Sequence, residues 1–315
     1  MIMLTADAGL ALADAVAVEL HVAGAESNAA CGLAHLGHDV EWFGRLGSDP
    51  FGSRILDHMD ERGVATPHAI IADGPPTGIY FKDHLGRHSE VYYYRAGSAA
   101  SAMSRLDLEA LSVSDRQLIH LSGITAAISA TCDDLLEALL IERAAGRTTI
   151  SFDVNYRPRL WDVPSAAPRL LALARAADIV VVGRDEADVL WSTGSAEGVR
   201  DLLPHVPQLV VKDAEIGATH FDETGSTFVP ALRVAVVEPV GAGDAFAAGL
   251  LSGLLRGWDA ARSLRLGHLM AGFTLQHVSD LPRLPDSAVI LSMTEATIDE
   301  WMQLQLPPLG DLAAI

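Results

Sequence analysis

The stretch TTISFDVNYRPRLWDVPSAAPRLLALARAADIVVVGRDEADVLW (148–191) carries the pattern that decides the fold. TTISFDVN (148–155) and DIVVVG (178–183) are almost continuously apolar, as buried strands are. The segments that follow them predict helices over 165–176 and 185–192. Apolar strands that alternate with helices are typical of a parallel sheet covered on both faces. The sequence therefore predicts an α/β fold whose ligands bind at the carboxyl ends of the strands.

The same alternation extends outward along the chain in both directions. Helix 50–62 is the clearest case, because Asp49 is a good N-cap and Pro50 suits the first helical position. Further elements are predicted as strands over 40–46, 117–123 and 209–212, a helix over 131–145 and a hairpin over 218–230.

Two aromatic runs interrupt the alternation. TGIYFKD (77–83) and HSEVYYYR (88–95) are joined by the short connection HLGR, which predicts a hairpin. A hairpin cannot be a crossover between parallel strands, so we expect it to project as a lid to which ELHVAG (19–24) pairs. We thus predict one α/β domain over residues 1–315, with a lid formed by about 10–25 and 74–98 inserted in it.

The charge balance excludes several classes of partner. The chain has 22 basic and 41 acidic residues, a net charge of −19. Such a field repels nucleic acid and anionic membranes, whose binding depends on clustered Lys and Arg. A site for an anionic ligand therefore needs locally concentrated positive potential.

The sequence also bears on location. No apolar run approaches the roughly 20 residues that a membrane span needs. The first 15 residues contain Asp7 and Asp14 and no basic residue, unlike a secretory signal. Cys31 and Cys132 are about 100 residues apart and form neither a metal spacing nor a disulfide framework. We expect a cytoplasmic protein with no membrane or nucleic-acid partner.

The sharpest local feature is VEPVGAGDAFAAGLLSGLL (237–255). Gly241 and Gly243 allow a tight turn, and the small residues from Ala242 onward predict a closely packed helix. The amides of Gly241, Ala242 and Gly243 would then face outward from a helix N-terminus, which attracts anions. Asp244 beside them could serve as the catalytic base of a phosphoryl transfer, or it could simply stabilise the helix end.

Longer segments resemble a known family. EPVGAGDAFAAG (238–249) resembles the C-terminal signature of the ribokinase-like, or PfkB, carbohydrate kinases, and the stretch 22–64 looks like that family's N-terminal signature. The resemblance implies a three-layer αβα fold with a mostly parallel central sheet and a small β-strand lid. It also implies that the chain uses ATP and Mg²⁺, that Asp244 is the base and that the amides of 241–243 form the anion hole.

Within that family, VYYYRAGSAAS (91–101) and SFDVNYRPRLW (151–161) look most like 2-keto-3-deoxygluconate kinases. This resemblance implies ATP-dependent phosphorylation of 2-keto-3-deoxygluconate to its 6-phosphate. The substrate contacts that it implies are Gly24, Asn28, Tyr80, Tyr93, Arg95, Arg157 and Asp244. The nucleotide contacts that it implies are Lys212, Gly217, Gly241, Ala242, Gly243 and His268, with Glu186 acting on Mg²⁺ indirectly.

A physical argument supports an acidic substrate independently of the family. Arg95 ends a lid strand and Arg157 follows an apolar strand, so both can face one cleft. Arginine binds a carboxylate by paired, charge-assisted hydrogen bonds far better than it binds a neutral hydroxyl. Alternation along the strand points Tyr93 away from Tyr92 and Tyr94, which suit lid packing or a subunit interface. A surface ion pair for Arg95 and a phosphate contact for Arg157 remain alternatives.

Other positions depart from the family pattern. Family members usually begin with a strand that ends in Gly-Glu or Gly-Asp and precedes the point matching Met1. Glu238, Ala214, Gly183 and His268 stand where Asp, Gly, Asn and Asn are usual. Two alternatives therefore stay open, a kinase for a neutral sugar such as fructose and a catalytically weak protein that binds sugar acids. A protruding aromatic lid further predicts a homo-oligomer formed through the lid.

Overall fold

The computed structural model describes residues 1–6, 10–85, 88–109, 111, 113–277, 279, 281–282 and 284–306. The strands are β1 Ile2–Thr5, β2 Glu19–Val22, β3 Arg45–Gly47, β4 Ile70–Ala72, β5 Ile79–Leu85, β6 His88–Tyr94, β7 Leu118–Ser122, β8 Thr149–Asp153, β9 Ile179–Gly183, β10 Gln208–Asp213, β11 Gly217–Asp222 and β12 Gly225–Pro230. The helices are α1 Ala25–His35, α2 Pro50–Glu61, α3 Gly123–Ile128, α4 Ala130–Leu136, α5 Val163–Ala176, α6 Arg184–Trp191, α7 Ala196–Leu202, α8 Ala242–Leu255, α9 Ala260–Leu275, α10 Ser287–Met293 and α11 Ile298–Gln303.

The central sheet has six strands in the order β12-β11-β10-β9-β8-β7. Strands β7 to β10 are parallel, and β11 and β12 continue the sheet antiparallel. Strand β9 is buried on both faces, because Val180 and Val182 pack with α5 whereas Val181 packs with α8 and α9. The predicted α/β fold with a mostly parallel sheet between two helical layers is confirmed.

A second sheet, which we call the lid, has the order β2-β1-β5-β6. Strands β5 and β6 form the predicted hairpin, although Gly86 and Arg87 of its connection lie outside the described residues. The expected pairing of ELHVAG to the hairpin is wrong. Strand β1 lies between them, antiparallel to β2 and parallel to β5.

Two element boundaries also differ from the prediction. The strand expected over 40–46 is confined to β3. Residues 40–42 contact Ala65 through isolated backbone hydrogen bonds, such as the one that Trp42 N donates to Ala65 O. The helix expected over 131–145 ends earlier: α4 widens into a π-helical turn over Glu137–Ile141, and Arg143 then takes a φ of +55°. A left-handed residue stops a right-handed helix.

The carboxyl ends of β7 to β10 open into a cavity of about 1380 Å³. Among the described strands, β3 pairs only with β4, and no described strand pairs with both β3 and β7. Both strands line the cavity, which therefore extends between them. None of the described helices is long and apolar enough to cross a membrane.

Candidate active site

The GAGD turn lies at the mouth of this cavity. Gly241 has a φ of +86°, a left-handed conformation that glycine adopts without strain, and α8 begins at the next residue. Amides at the start of a helix have no partner four residues earlier and, together with the helix dipole, favour an anion, although Ala242 N here donates to Pro239 O over 3.4 Å. Asp244 belongs to the same first turn and also lines the cavity.

The carboxylate of Asp244 receives hydrogen bonds from two distant asparagines. Asn28 of α1 donates from Nδ2 to Oδ2 over 2.9 Å, and Asn155, just beyond β8, donates from Nδ2 to Oδ1 over 3.4 Å. Helices α1 and α8 pack against each other, which brings Asn28 to Asp244. A carboxylate held in this way has a defined orientation at the end of the anion site.

Three charged side chains lie beside the turn, of which Asp153 is buried and Lys212 and Glu186 are partly buried. Lys212, at the end of β10, donates from Nζ to Asp153 Oδ2 over 3.1 Å. Burial alone would lower the pKa of Lys212, but the carboxylates of Asp153 and Glu186 outweigh it and raise the pKa, so the ammonium stays charged. Burial raises the pKa of Glu186, with Lys212 acting against it. A Cβ placed on Gly243 would lie 3.5 Å from Lys212 Nζ, so this cation faces the GAGD turn (241–244), which we call the anion turn.

The opposite side of the cavity carries the lid residues. Tyr80 and Tyr93 are direct partners across β5 and β6, with ring centroids 5.8 Å apart, and both line the cavity. The Nε of Arg95 is buried and has no hydrogen-bond partner among the described residues. Burial lowers the pKa of Arg95, an effect that Glu26 partly offsets. A buried guanidinium Nε without a partner, in a residue that lines a cavity, indicates room for an anionic ligand.

Arg157 lies nearer the anion turn. Its Nη1 is 3.8 Å from Glu186 Oε1, and its side chain is 40% exposed. Both arginines line the cavity, Arg95 beside the lid and Arg157 beside Glu186.

A buried ion pair ties the lid to the anion turn. Lys82 of β5 is fully buried, and its Nζ lies 3.0 Å from Oε2 of Glu238, whose side chain is 3% exposed. The other oxygen of Glu238 accepts a hydrogen bond from the amide of Val240 over 3.1 Å. Glu238 thus joins the lid to the residues that lead into Gly241.

The cavity gathers most of the residues that the sequence singled out. Those that line it are Gly24, Asn28, Tyr80, Tyr93, Arg95, Arg157, Glu186, Lys212, Gly241, Gly243 and Asp244. Ala242, Gly217 and His268 are not among the lining residues. His268 is buried between Phe246 and Trp301, where its Nε2 contacts the carbonyl oxygen of Val229. Position 217 requires glycine, because a Cβ there would overlap the carbonyl oxygen of Val229.

Four cavity residues escaped the sequence reasoning. Asp153 ends β8 and Asn155 lies just beyond it, Glu26 accepts hydrogen bonds from the hydroxyls of Ser122 and Thr125, and His120 contacts Ser151. Burial lowers the pKa of His120, opposed by Asp153 and Glu26. The position of Asp153 and Asn155 at the carboxyl end of a parallel strand was the available signal.

The donor set fits a nucleotide with Mg²⁺. A helix N-terminus and Lys212 suit phosphate groups, and the described residues contain no cluster of three or more His, Cys, Asp or Glu that could hold a metal ion. Mg²⁺ that accompanies a phosphate typically keeps several waters and needs only one or two carboxylates. Glu186 lines the cavity, and its action on such an ion through water stays a prediction.

An α/β sheet with an anion-binding helix end, a carboxylate in its first turn and a β lid over the cavity defines a phosphoryl transferase of the sugar-kinase type. The family is shown by sequence. The profile of the pfkB family carbohydrate kinases matches residues 1–286, and the chain belongs to that family.

Relatives of this chain are similar over most of its length. It is 33% identical over 281 residues to the 2-dehydro-3-deoxygluconokinase of Bacillus subtilis (strain 168), covering 87% of each chain. It is 34% identical over 279 residues to the 2-dehydro-3-deoxygluconokinase of Thermoproteus tenax, covering 85% of this chain and 83% of that one. A crystal structure of a PfkB protein from Polaromonas sp. JS666 superposes with a TM-score of 0.83 at 34% identity, covering 94% of this chain and 97% of that one.

Proposed function

We propose that this protein is an ATP-dependent sugar-acid kinase that phosphorylates 2-keto-3-deoxygluconate, also called 2-dehydro-3-deoxygluconate, on its 6-hydroxyl. The observation that carries the proposal is the position of Asp244 in the first turn of α8, in a cavity that also contains Arg95 and Lys212. The names of the B. subtilis and T. tenax relatives support the choice of substrate.

The proposed reaction is a direct transfer. Asp244 orients the 6-hydroxyl and accepts its proton as the oxygen attacks the γ-phosphorus of ATP. The new O–P bond forms as the bond from that phosphorus to the β,γ-bridging oxygen breaks, and ADP leaves. The amides of 241–243 and the Lys212 ammonium stabilise the charge on the transferring group. Mg²⁺, when bound with ATP, would neutralise phosphate charge.

Arg95 supports an acidic substrate. Its guanidinium lies at the lid end of the cavity with Nε unpartnered among the described residues, and a substrate carboxylate would satisfy it by a charge-assisted bond. We assign Arg157 to the phosphates, because it lies beside Glu186. Tyr80 and Tyr93 cover the sugar from the lid and help to exclude water.

The proposal includes the setting of the enzyme. We place it in the cytoplasm and expect a homo-oligomer formed through the lid, since Tyr92 and Tyr94 on the outer face of the lid are 38% and 64% exposed. We retain one α/β domain with an inserted lid as the domain organisation.

The first experiment measures ADP release by a coupled assay with Mg-ATP and 2-keto-3-deoxygluconate, with gluconate, fructose and ribose as comparison substrates. Turnover confined to the keto-deoxy acid supports the proposal. Turnover of fructose or ribose instead identifies a neutral-sugar kinase, and sugar-acid binding without turnover identifies the catalytically weak alternative.

Two variants sharpen the result. Asp244→Asn should lower kcat by about 10²- to 10⁴-fold, since a general base contributes that much, while calorimetry still detects substrate binding. Arg95→Gln should raise KM for the sugar acid and leave KM for ATP unchanged. Near-normal turnover by Asp244→Asn would refute the base assignment.

A further inference from the structure

The distribution of asparagine in this chain is unusual. The 315 residues include only two asparagines, Asn28 and Asn155, and both donate to the carboxylate of Asp244. They come from different elements, 216 and 89 residues away from Asp244. A chain that is otherwise free of this residue thus places both copies on one side chain.

The chemistry at Asp244 explains why these two positions are amides. An ionised carboxylate only accepts hydrogen bonds, so each amide must turn its NH₂ group toward Asp244. An aspartate at either position would set a second carboxylate against the first, which disfavours the ionised form. The acidic residues abundant elsewhere in the chain cannot fill this role.

The other end of each amide points to a ligand. Asn28 and Asn155 are 3% and 5% exposed as residues, and the Oδ1 atom of each is buried with no hydrogen-bond partner among the described residues. Both residues line the cavity. Buried acceptors are rarely left unsatisfied, and hydroxyl groups of a bound polyol would satisfy these two.

The backbone at Asn155 is shaped to aim its side chain. Its φ is +42°, a left-handed conformation that asparagine tolerates better than most residues. Asp153 Oδ1 accepts a hydrogen bond from the backbone N–H of Asn155 over 3.2 Å, while Asp153 Oδ2 accepts one from Lys212 Nζ. One aspartate thus fixes both the turn that carries Asn155 and the cation that faces the anion turn.

We propose that Asn155 completes, with Asn28, a bracket that orients Asp244, and that the Oδ1 atom of Asn155 accepts a hydroxyl group of the sugar beside the Asn28 contact that the family resemblance already implies. Asn155 is thereby a positioning residue for the base and a specificity determinant for hydroxyl-rich substrates. The bracket rests on the proposed function, since it assumes that Asp244 is the base of a phosphoryl transfer to a sugar.

The test compares three substitutions at one position. Asn155→Gly removes the amide and relieves the left-handed strain, Asn155→Ala removes the amide and keeps the strain, and Asn155→Asp keeps the shape but adds a charge. The control is Ser192→Gly, at an exposed left-handed position (φ +55°) that ends α6 outside the cavity.

We expect Asn155→Gly to fold like the parent and to lose about 10- to 100-fold in kcat, the cost of a misplaced catalytic group. KM for the sugar should rise and KM for ATP should not. The acid limb of the kcat/KM pH profile should move to higher pH, and further still in Asn155→Asp, because donors that favour the carboxylate form are lost. Ser192→Gly should leave all kinetic constants unchanged.

A readout that needs no turnover separates the two proposals. The side-chain carboxyl ¹³C signal of Asp244, identified by its absence from Asp244→Asn, should shift in Asn155→Gly and stay fixed in Ser192→Gly. If the parent phosphorylates no sugar, the proposed function fails while this signal still tests the orienting bonds. An unchanged signal, together with an unchanged pH profile and kcat in Asn155→Gly, overturns the bracket.

Discussion

Replacing Lys82 by methionine would leave the buried carboxylate of Glu238 facing an apolar side chain. At 3.0 Å the two charges attract each other by about 5 kcal/mol with an effective dielectric constant of about 20. Removing one partner of such a pair costs about 3–5 kcal/mol of folding free energy, because the other charge stays buried after it loses this ion-pair contact. We expect Lys82→Met to lose that amount, and Glu238→Gln to lose stability for the same reason.

The double variant Lys82→Met/Glu238→Gln decides the matter. It removes both charges of the pair, and the glutamine oxygen can still accept from Val240 N, so its stability should return close to that of the parent. Urea unfolding followed by circular dichroism gives the free energies. Breaking the exposed pair Arg262–Glu295 with Glu295→Gln is the control and should cost less than about 1 kcal/mol. Additive losses in the double variant would refute the reasoning.

Three further outcomes follow from the structure. Burial lowers the pKa of His268 to about 4, so its contribution to stability is complete above pH 6.5 and is lost as the pH falls toward 4. This loss amounts to about 3 kcal/mol. His268→Gln should make the urea midpoint less dependent on pH over that range, whereas an equal pH dependence in the variant and the parent would contradict the assignment. Gly249→Ala should lower stability by about 1–3 kcal/mol in thermal unfolding, because a Cβ there would overlap the Leu266 carbonyl oxygen between α8 and α9; an unchanged midpoint would contradict this. Lys212→Met should raise KM for ATP and lower stability, because Asp153 loses its partner. Adding Asp153→Asn should restore the stability but not KM for ATP, and recovery of both would show that the role of Lys212 is purely structural.

The sequence foretells elements whose burial is uniform. The strand over 178–183 is apolar throughout because both faces of the sheet are covered, so its run of Ile and Val could be recognised without any partner. The GAGD turn was equally readable, because the φ of Gly241 and the small residues of α8 are local requirements.

The sequence could not foretell what depends on distant partners. Strand β1 has only four residues, and its partners β2 and β5 are set by contacts remote along the chain. The position of Asn155 just beyond β8 could indicate the cavity, but its contact with Asp244 spans 89 residues and no neighbouring residue identifies that partner. His268 was matched to the nucleotide by position alone, whereas its burial against Trp301 follows from the way α9 packs.

The two-asparagine composition also governs how this protein ages. Asparagine is among the most heat-labile residues, and its deamidation produces an acidic side chain. In most proteins that damage is scattered over the surface, but here it can occur only at Asn28 and Asn155, beside Asp244. Each event would place a second carboxylate against the first. Asparagine deamidation in this protein should therefore register as lost turnover in molecules that remain folded.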